Sequence, residues 1–213
     1  MPGRSHAGPL APLSDEGRAL AERLRGHVAV LIELAAMQLP VRFVAFANEE
    51  MPYFLGPEMG SFVSARRSRE RGENLRAMFS LEMLGYYRDA PGSQHYPAPL
   101  GWFYPDRADF IGFVGDLGAR ALVRRSIASF RKHARFPSEG VAAPAAIPGV
   151  SWSDHWAFRK HGYPAIMVTD TAFYRYPHYH LPSDTPEKLD YERMARVTLG
   201  LAAMLRELAD EAR

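Results

Sequence analysis

From Leu13 to Met37 the apolar side chains recur every three or four residues, at Leu20, Leu24, Val28, Leu31 and Leu34, which predicts a helix with one face on a core. Pro40 stops it. Val41-Arg42-Phe43-Val44-Ala45-Phe46-Ala47 is short, β-prone and nearly all apolar, the pattern of a buried strand. A second helix is predicted from Pro57 to about Arg71, ended by Gly72, and a second strand from Leu75 to Met83. Residues 85–109 break this rhythm: Pro, Gly and aromatics (Tyr86, Tyr87, Tyr96, Trp102, Phe103, Tyr104) follow one another with no period. A long irregular segment inside a compact domain is usually functional or mobile, often a cover over a site. Plain packing accounts for the same aromatics equally well.

Beyond it, Phe110 to Val114 reads as a strand and Leu117 to His133 as an amphipathic helix. Phe136 to Val150 is a Pro/Ala-rich loop, Asp154 to His161 a short helix, Ala165 to Thr169 an apolar strand, and Tyr191 to Ala212 a terminal helix. Helices alternating with apolar strands predict an α/β three-layer sandwich, a mostly parallel sheet flanked by helices. In such sheets ligands collect at the carboxyl ends of strands.

Composition narrows the chemistry. With 213 residues, 47% of them hydrophobic, the chain is long enough for one compact domain with a sizeable core, and neither an internal repeat nor an interdomain linker is visible. The absence of cysteine excludes disulfides, thiolate zinc fingers and cysteine nucleophiles, so any metal is held by His, Asp or Glu. No signal-peptide-like apolar run opens the chain and no 18-residue apolar span occurs, so as written it is expected to be soluble, without a membrane partner. The net charge is only +2. The basic run Arg66-Arg67-Ser68-Arg69-Glu70-Arg71 is expected to be a solvated helix face rather than a nucleic-acid site.

Read one at a time, the strand ends carry carboxylates and imidazoles. The first predicted strand runs into Asn48-Glu49-Glu50. Side chains of adjacent strand residues point to opposite faces, so both carboxylates reach one point only where the chain leaves strand geometry. Two like charges held that close call for a cation or a proton, although a Glu-Glu pair is also a common solvated loop. Glu82 interrupts the apolar stretch Ser80-Leu81-Glu82-Met83-Leu84, and a buried carboxylate needs a metal, an Arg or a hydrogen-bond network. After the Ala165 strand, His178 and His180 stand two apart in a loop; Asp184 either fixes an imidazole's second nitrogen or closes the turn before Pro186. Ser153-Asp154-His155 looks like a helix start with a polar contact into the same cleft.

Taken in order, VRFVAFANEE, GSFVSARR, SLEMLGYY, SDHWAFRKHGYPAIMVTDT and PHYHLPSDTPEKLDYERM resemble the co-catalytic zinc aminopeptidases, which share their fold with the zinc glutaminyl cyclases. The resemblance runs from about Gly26 to the end. It implies a zinc-dependent exopeptidase acting on a peptide substrate: Glu49 as general acid/base, Glu50, Glu82 and His180 as zinc ligands, and Tyr179 as a hydrogen-bond donor to the oxyanion. The ion would activate water and polarise the peptide carbonyl, and Glu49 would pass a proton to the leaving amine. The family also carries a strand ending in a His ligand and a Gly-rich loop with an Asp bridging two zincs. Here Ala21-Glu22-Arg23-Leu24-Arg25 stands before the matching helix, and neither Glu22 nor His6 fits those places. The expectation is therefore an atypical segment over 1–25, a single peptidase-like domain over 26–213, a missing N-terminal strand, and one zinc or fewer instead of two. A non-catalytic interaction module with a degenerate metal site, and a glutaminyl cyclase-type acyltransferase, are the alternatives.

Overall fold

In the computed structural model, residues 41–210 are described. The predicted helix from Leu13 to Met37, the segment 1–25, and Glu22 and His6 lie outside them. Helix α1 spans Gly60–Glu70, and the chain turns out of it through Gly72 at φ 65°, a left-handed conformation that glycine adopts without a Cβ clash. Strand β1 is Met78–Glu82, β2 Ile111–Asp116, β3 Ser138–Ala143 and β4 Ala165–Thr169; helices α2 (Arg120–His133), α3 (His155–Lys160) and α4 (Tyr191–Asp210) complete the order. These agree closely with the predicted elements, and residues 85–109 are irregular apart from one 3-10 turn at Leu100–Trp102 and a bridge between Arg88 and Ala108.

Two expectations need correction. Residues 41–47 form no strand, and Phe43 and Val44 are each 53% exposed. An apolar β-prone run becomes a strand only when a neighbour completes its ladder, and no described residue does so. Conversely, Ser138–Ala143, read as loop, is a strand. Its composition is weakly β-prone, and the parallel ladder with β2, from Ile111↔Ser138 to Asp116↔Ala143, is what extends it.

The four strands lie in the order β1-β4-β2-β3. β1 pairs β4 in parallel and β2 pairs β3 in parallel, while β2 and β4 run antiparallel, so the sheet is mostly parallel. Its two faces are covered differently. On one, Ile111, Phe113, Ile166 and Val168 pack with Phe130 of α2 and Val197, Leu201 and Met204 of α4 into the main core. Each such side chain, moved from water to the interior, contributes about 1.5–3 kcal/mol. On the other, Ala165 packs with Ala65 of α1 and with Phe158 and Tyr163 around α3. That second cluster covers only the β1/β4 half.

Charges hold the helices in place. Arg159 of α3 donates to Asp116 at the end of β2 at 2.8 Å, and Glu207 of α4 accepts from Ser129, Lys132 and His133 of α2, which holds its carboxyl down at about 2. The basic run of α1 is solvated, with Arg66 paired to Glu70 at 3.8 Å. No described helix is long and apolar enough to cross a membrane.

Helix α4 packs tightly at Gly200 on Phe130 of α2 and on Ala134 just after it, where an added Cβ would meet Ala134 Cβ at 2.5 Å and Phe130 Cε2 at 2.6 Å. Helix propensity alone makes Gly→Ala favourable by about 1 kcal/mol. Gly200→Ala is nevertheless expected to destabilise, by about 1–3 kcal/mol from overpacking, seen as a lower midpoint in urea; a raised midpoint would refute the contact.

Candidate active site

The part of the second sheet face that this cluster leaves open is the floor of a cavity of about 340 Å³. Directly paired residues in a sheet share a face, so the pairings Glu82↔Thr169, Thr169↔Gly112 and Gly112↔Glu139 place one row of side chains across all four strands. The next row on that face is Ser80, Met167, Val114 and Val141. Seven of these eight residues, all but Ser80, line the cavity. Its walls come from the irregular segment (Gln94, Tyr96, Leu100, Tyr104), from 147–152 and from 171–180.

Glu49, Glu50, Glu82, Tyr179 and His180, singled out from the sequence, all line this one cavity. Glu50 Oε1 lies 3.2 Å from His180 Nε2, although the two residues are 130 positions apart. His180 stacks flat on Tyr179, ring centroids 3.9 Å apart. Glu82 Oε2 accepts from Ser153 Oγ at 3.2 Å, and Ser153 Oγ is 2.6 Å from Ser80 Oγ, the polar contact that the Ser153-Asp154-His155 pattern suggested. Asp184 accepts from Tyr176 Oη at 2.6 Å, not from an imidazole, and His178 meets Ser183 instead.

The electrostatics follow from acids crowded against an apolar wall. Burial pushes Glu49 up to about 7, reinforced by the neighbouring charges of Glu82, Glu50 and Asp154. Burial raises Glu82 as well, against the pull of Ser153, while Glu50 and Asp154 raise it further and His180 lowers it. Tyr179 is driven to about 12 by burial and then by Glu82, Glu50 and Glu49, so its phenol keeps its proton.

Backbone geometry marks the same place. Asn48 (φ 59°), Met83 (φ 38°), Thr171 (φ 76°) and His180 (φ 57°) are non-glycine residues in left-handed conformations, each costing on the order of 1–3 kcal/mol. Asn48 precedes Glu49 and Met83 follows Glu82, so the chain leaves extended geometry where the acids must turn inward.

What holds the bends at Met83 and Thr171 is Asp170, fully buried after β4. Its carboxylate accepts from the N–H groups of Gly85 (3.1 Å), Tyr86 (2.8 Å) and Ala172 (3.0 Å), and its own N–H donates to Met83 O at 2.6 Å. Burial pushes Asp170 up to about 6, opposed by those N–H groups and by Arg175. Arg175, also buried, donates to the carbonyls of Tyr86 and Phe110 and to Gln94. Sequence reasoning passed over both residues. The signal was an acid directly after a buried strand, the same signal that drew attention to Glu49 and Glu50.

In kind, the donors suit a zinc ion: one imidazole nitrogen and carboxylate oxygens. In number, Glu50 and His180 are in contact and Glu82 is near enough to feel both charges, but among the described residues no three His, Asp or Glu side chains form a ready-made metal cluster.

Comparison with known proteins places the chain. The model of "Peptidase family M28" matches residues 19–205. "Uncharacterized protein YfbL" of Escherichia coli (strain K12) is 46% identical over 185 residues, covering 84% of this chain and 56% of that protein. A "Probable leucine aminopeptidase" of Arthroderma otae is 24% identical over 207 residues, covering 93% and 49%. The chain thus spans about half the length of these curated relatives. Among solved structures, LapB from Legionella pneumophila superposes with a TM-score of 0.61 at 20% identity, over 86% of this chain and 46% of that one. BSAP, a zinc aminopeptidase from Bacillus subtilis, gives 0.58 at 18%, over 86% and 41%. These likenesses bear out the mixed α/β fold.

Two outcomes test the site. Asp170→Ala strands three buried N–H groups and is expected to cost about 3 kcal/mol or more, read in urea melts; a cost below about 1 kcal/mol would refute the lock. His155 is buried, donates from Nε2 to Val150 O at 2.9 Å, and is held down at about 4 by burial. Its folded pKa lies below the unfolded value, so the unfolded chain takes the proton first and stability falls as pH drops from about 6.5 to about 4, by on the order of 3 kcal/mol. His155→Asn is expected to flatten that decline in thermal melts across this range.

Proposed function

Because this chain belongs to peptidase family M28, we propose that it is a zinc-dependent metallo-exopeptidase that removes residues from the N-termini of peptides, with its chemistry at the rim of the sheet. The observation carrying this reading is the convergence of Glu49, Glu50, Glu82, Tyr179 and His180, from three separate stretches of chain, on one largely apolar cavity. Glu50, Glu82 and His180 would hold the ion, which when bound supplies Lewis acidity toward water and the scissile carbonyl.

The remaining steps belong to the chain's own groups. Glu49 takes a proton from the attacking water and delivers it to the leaving amine nitrogen; half-buried among other acids, its carboxyl exchanges a proton near neutral pH, where such a shuttle works best. Tyr179, protonated throughout, donates to the carbonyl oxygen as negative charge builds on it. Ser153 fixes the rotamer of Glu82.

Zinc content and anilide turnover test the proposal together. About one zinc per chain is expected after purification with zinc, and less than about 0.2 would favour a non-catalytic module. Glu49→Ala is expected to abolish aminoacyl-anilide hydrolysis while leaving zinc content near the parent's, whereas Glu50→Ala lowers both. Full turnover by Glu49→Ala would remove it from the proton path.

A further inference from the structure

The cavity floor is polar at both ends. Glu82 opens its first row on β1 and Glu139 closes it on β3, three strand spacings or about 14 Å away. Between them stand Thr169 and Gly112, and a Cβ added at Gly112 would come within 3.2 Å of the Thr169 carbonyl oxygen, so glycine keeps this part of the floor low. The second row, Met167, Val114 and Val141, is apolar.

At the far end, two aromatic rings flank the cavity. Tyr96 and Tyr104 lie with centroids 5.8 Å apart and planes tilted by 31°. Their phenols are tied elsewhere, to Pro105 O at 2.6 Å and to Gly140 O at 3.0 Å, so the rings are fixed and present carbon surface. The Tyr104 hydroxyl reaches the backbone immediately after Glu139, and burial, with the charge of Glu139 beside it, raises both phenols above their ordinary range.

Glu139 itself is weakly satisfied. Its ion-pair partner among the described residues, Arg131, sits 3.9 Å away, beyond hydrogen-bond distance. Arg131 donates from Nε and Nη2 to Ser138, whose hydroxyl and carbonyl accept from it. Burial outweighs Arg131 and raises the Glu139 carboxyl above the ordinary range. A carboxylate at the end of an apolar, aromatic-walled cavity, short of a close counter-charge, is complementary to a long side chain with an apolar stem and a cationic head.

We infer that Glu139 is a specificity-determining residue, and that the cavity selects substrates whose N-terminal side chain is arginine, and after it lysine, with the stem lying over Met167, Val114 and Val141 and the head meeting Glu139 beside the paired rings of Tyr96 and Tyr104. This rests on the exopeptidase reading of the same cavity. Arginine ranks first because its planar guanidinium both stacks on the rings and binds a carboxylate through two N–H groups.

The test compares arginine, lysine, leucine and methionine p-nitroanilides with the full chain in zinc, and repeats the series with Glu139→Gln, which keeps the side chain's shape. The parent is expected to show a kcat/KM for arginine about tenfold or more above that for leucine, and Glu139→Gln to lower this ratio by about tenfold, the scale of one charge-assisted hydrogen bond. A merely structural role would lower both substrates and leave the ratio unmoved. A parent that prefers leucine, or a ratio that survives Glu139→Gln, overturns the inference. If no anilide is cleaved, the exopeptidase reading fails separately. Calorimetric titration with L-argininamide and L-leucinamide then decides: tighter argininamide binding lost in Glu139→Gln sustains the inference, and equal or absent binding of the two overturns it.

Discussion

Asp170 is the contact on which the site depends. A carboxylate sealed from water is costly unless its oxygens are bonded, and here they take the N–H groups of the segment leaving β1 and of the turn that leads toward His180. Met83 and Thr171, the strained residues on either side of this junction, are held in their left-handed conformations by the same bonds. Arg175 extends the clamp to the irregular segment through Gln94 and the carbonyl of Phe110. The irregular segment after β1 and the turn after β4 thus share one buried polar centre.

The sheet supplies the other constraint. Both faces are apolar enough to need covering, yet helices α1 and α3 cover only half of one. The other half is roofed by irregular chain, and a roof of loops leaves a void where helices would have packed tightly. The acids gather along the β1 edge of that void, where burial and mutual repulsion raise Glu49 and Glu82 together. Such a cluster is unfavourable by itself. The cation proposed to sit there would relieve it.

Much of this was legible along the chain. Helix α4, strand β4 and helix α2 follow from hydrophobic spacing, because burying one stripe or one run of side chains demands that spacing whatever lies opposite. Glu49, Glu50, Glu82, Tyr179 and His180 stood out as polar groups at the ends of apolar runs or in the ordered motifs that resemble the zinc aminopeptidases. Residues 41–47 and 138–143 were misread for a common reason: strand formation belongs to the pair, and pairing is not written in either partner alone.

By itself, then, the sequence determined which segments must be buried, and that acids and an imidazole would sit where those segments end. Only the tertiary structure decided that Glu50 touches His180, that Asp170 ties the chain leaving β1 to the turn after β4, and that Glu139, on a poorly β-prone stretch, shares a row of the sheet with Glu82. The reason is geometric. Local periodicity records how each segment meets water, whereas register and strand order set which distant side chains face one another, and those arise only when the whole sheet closes on its core.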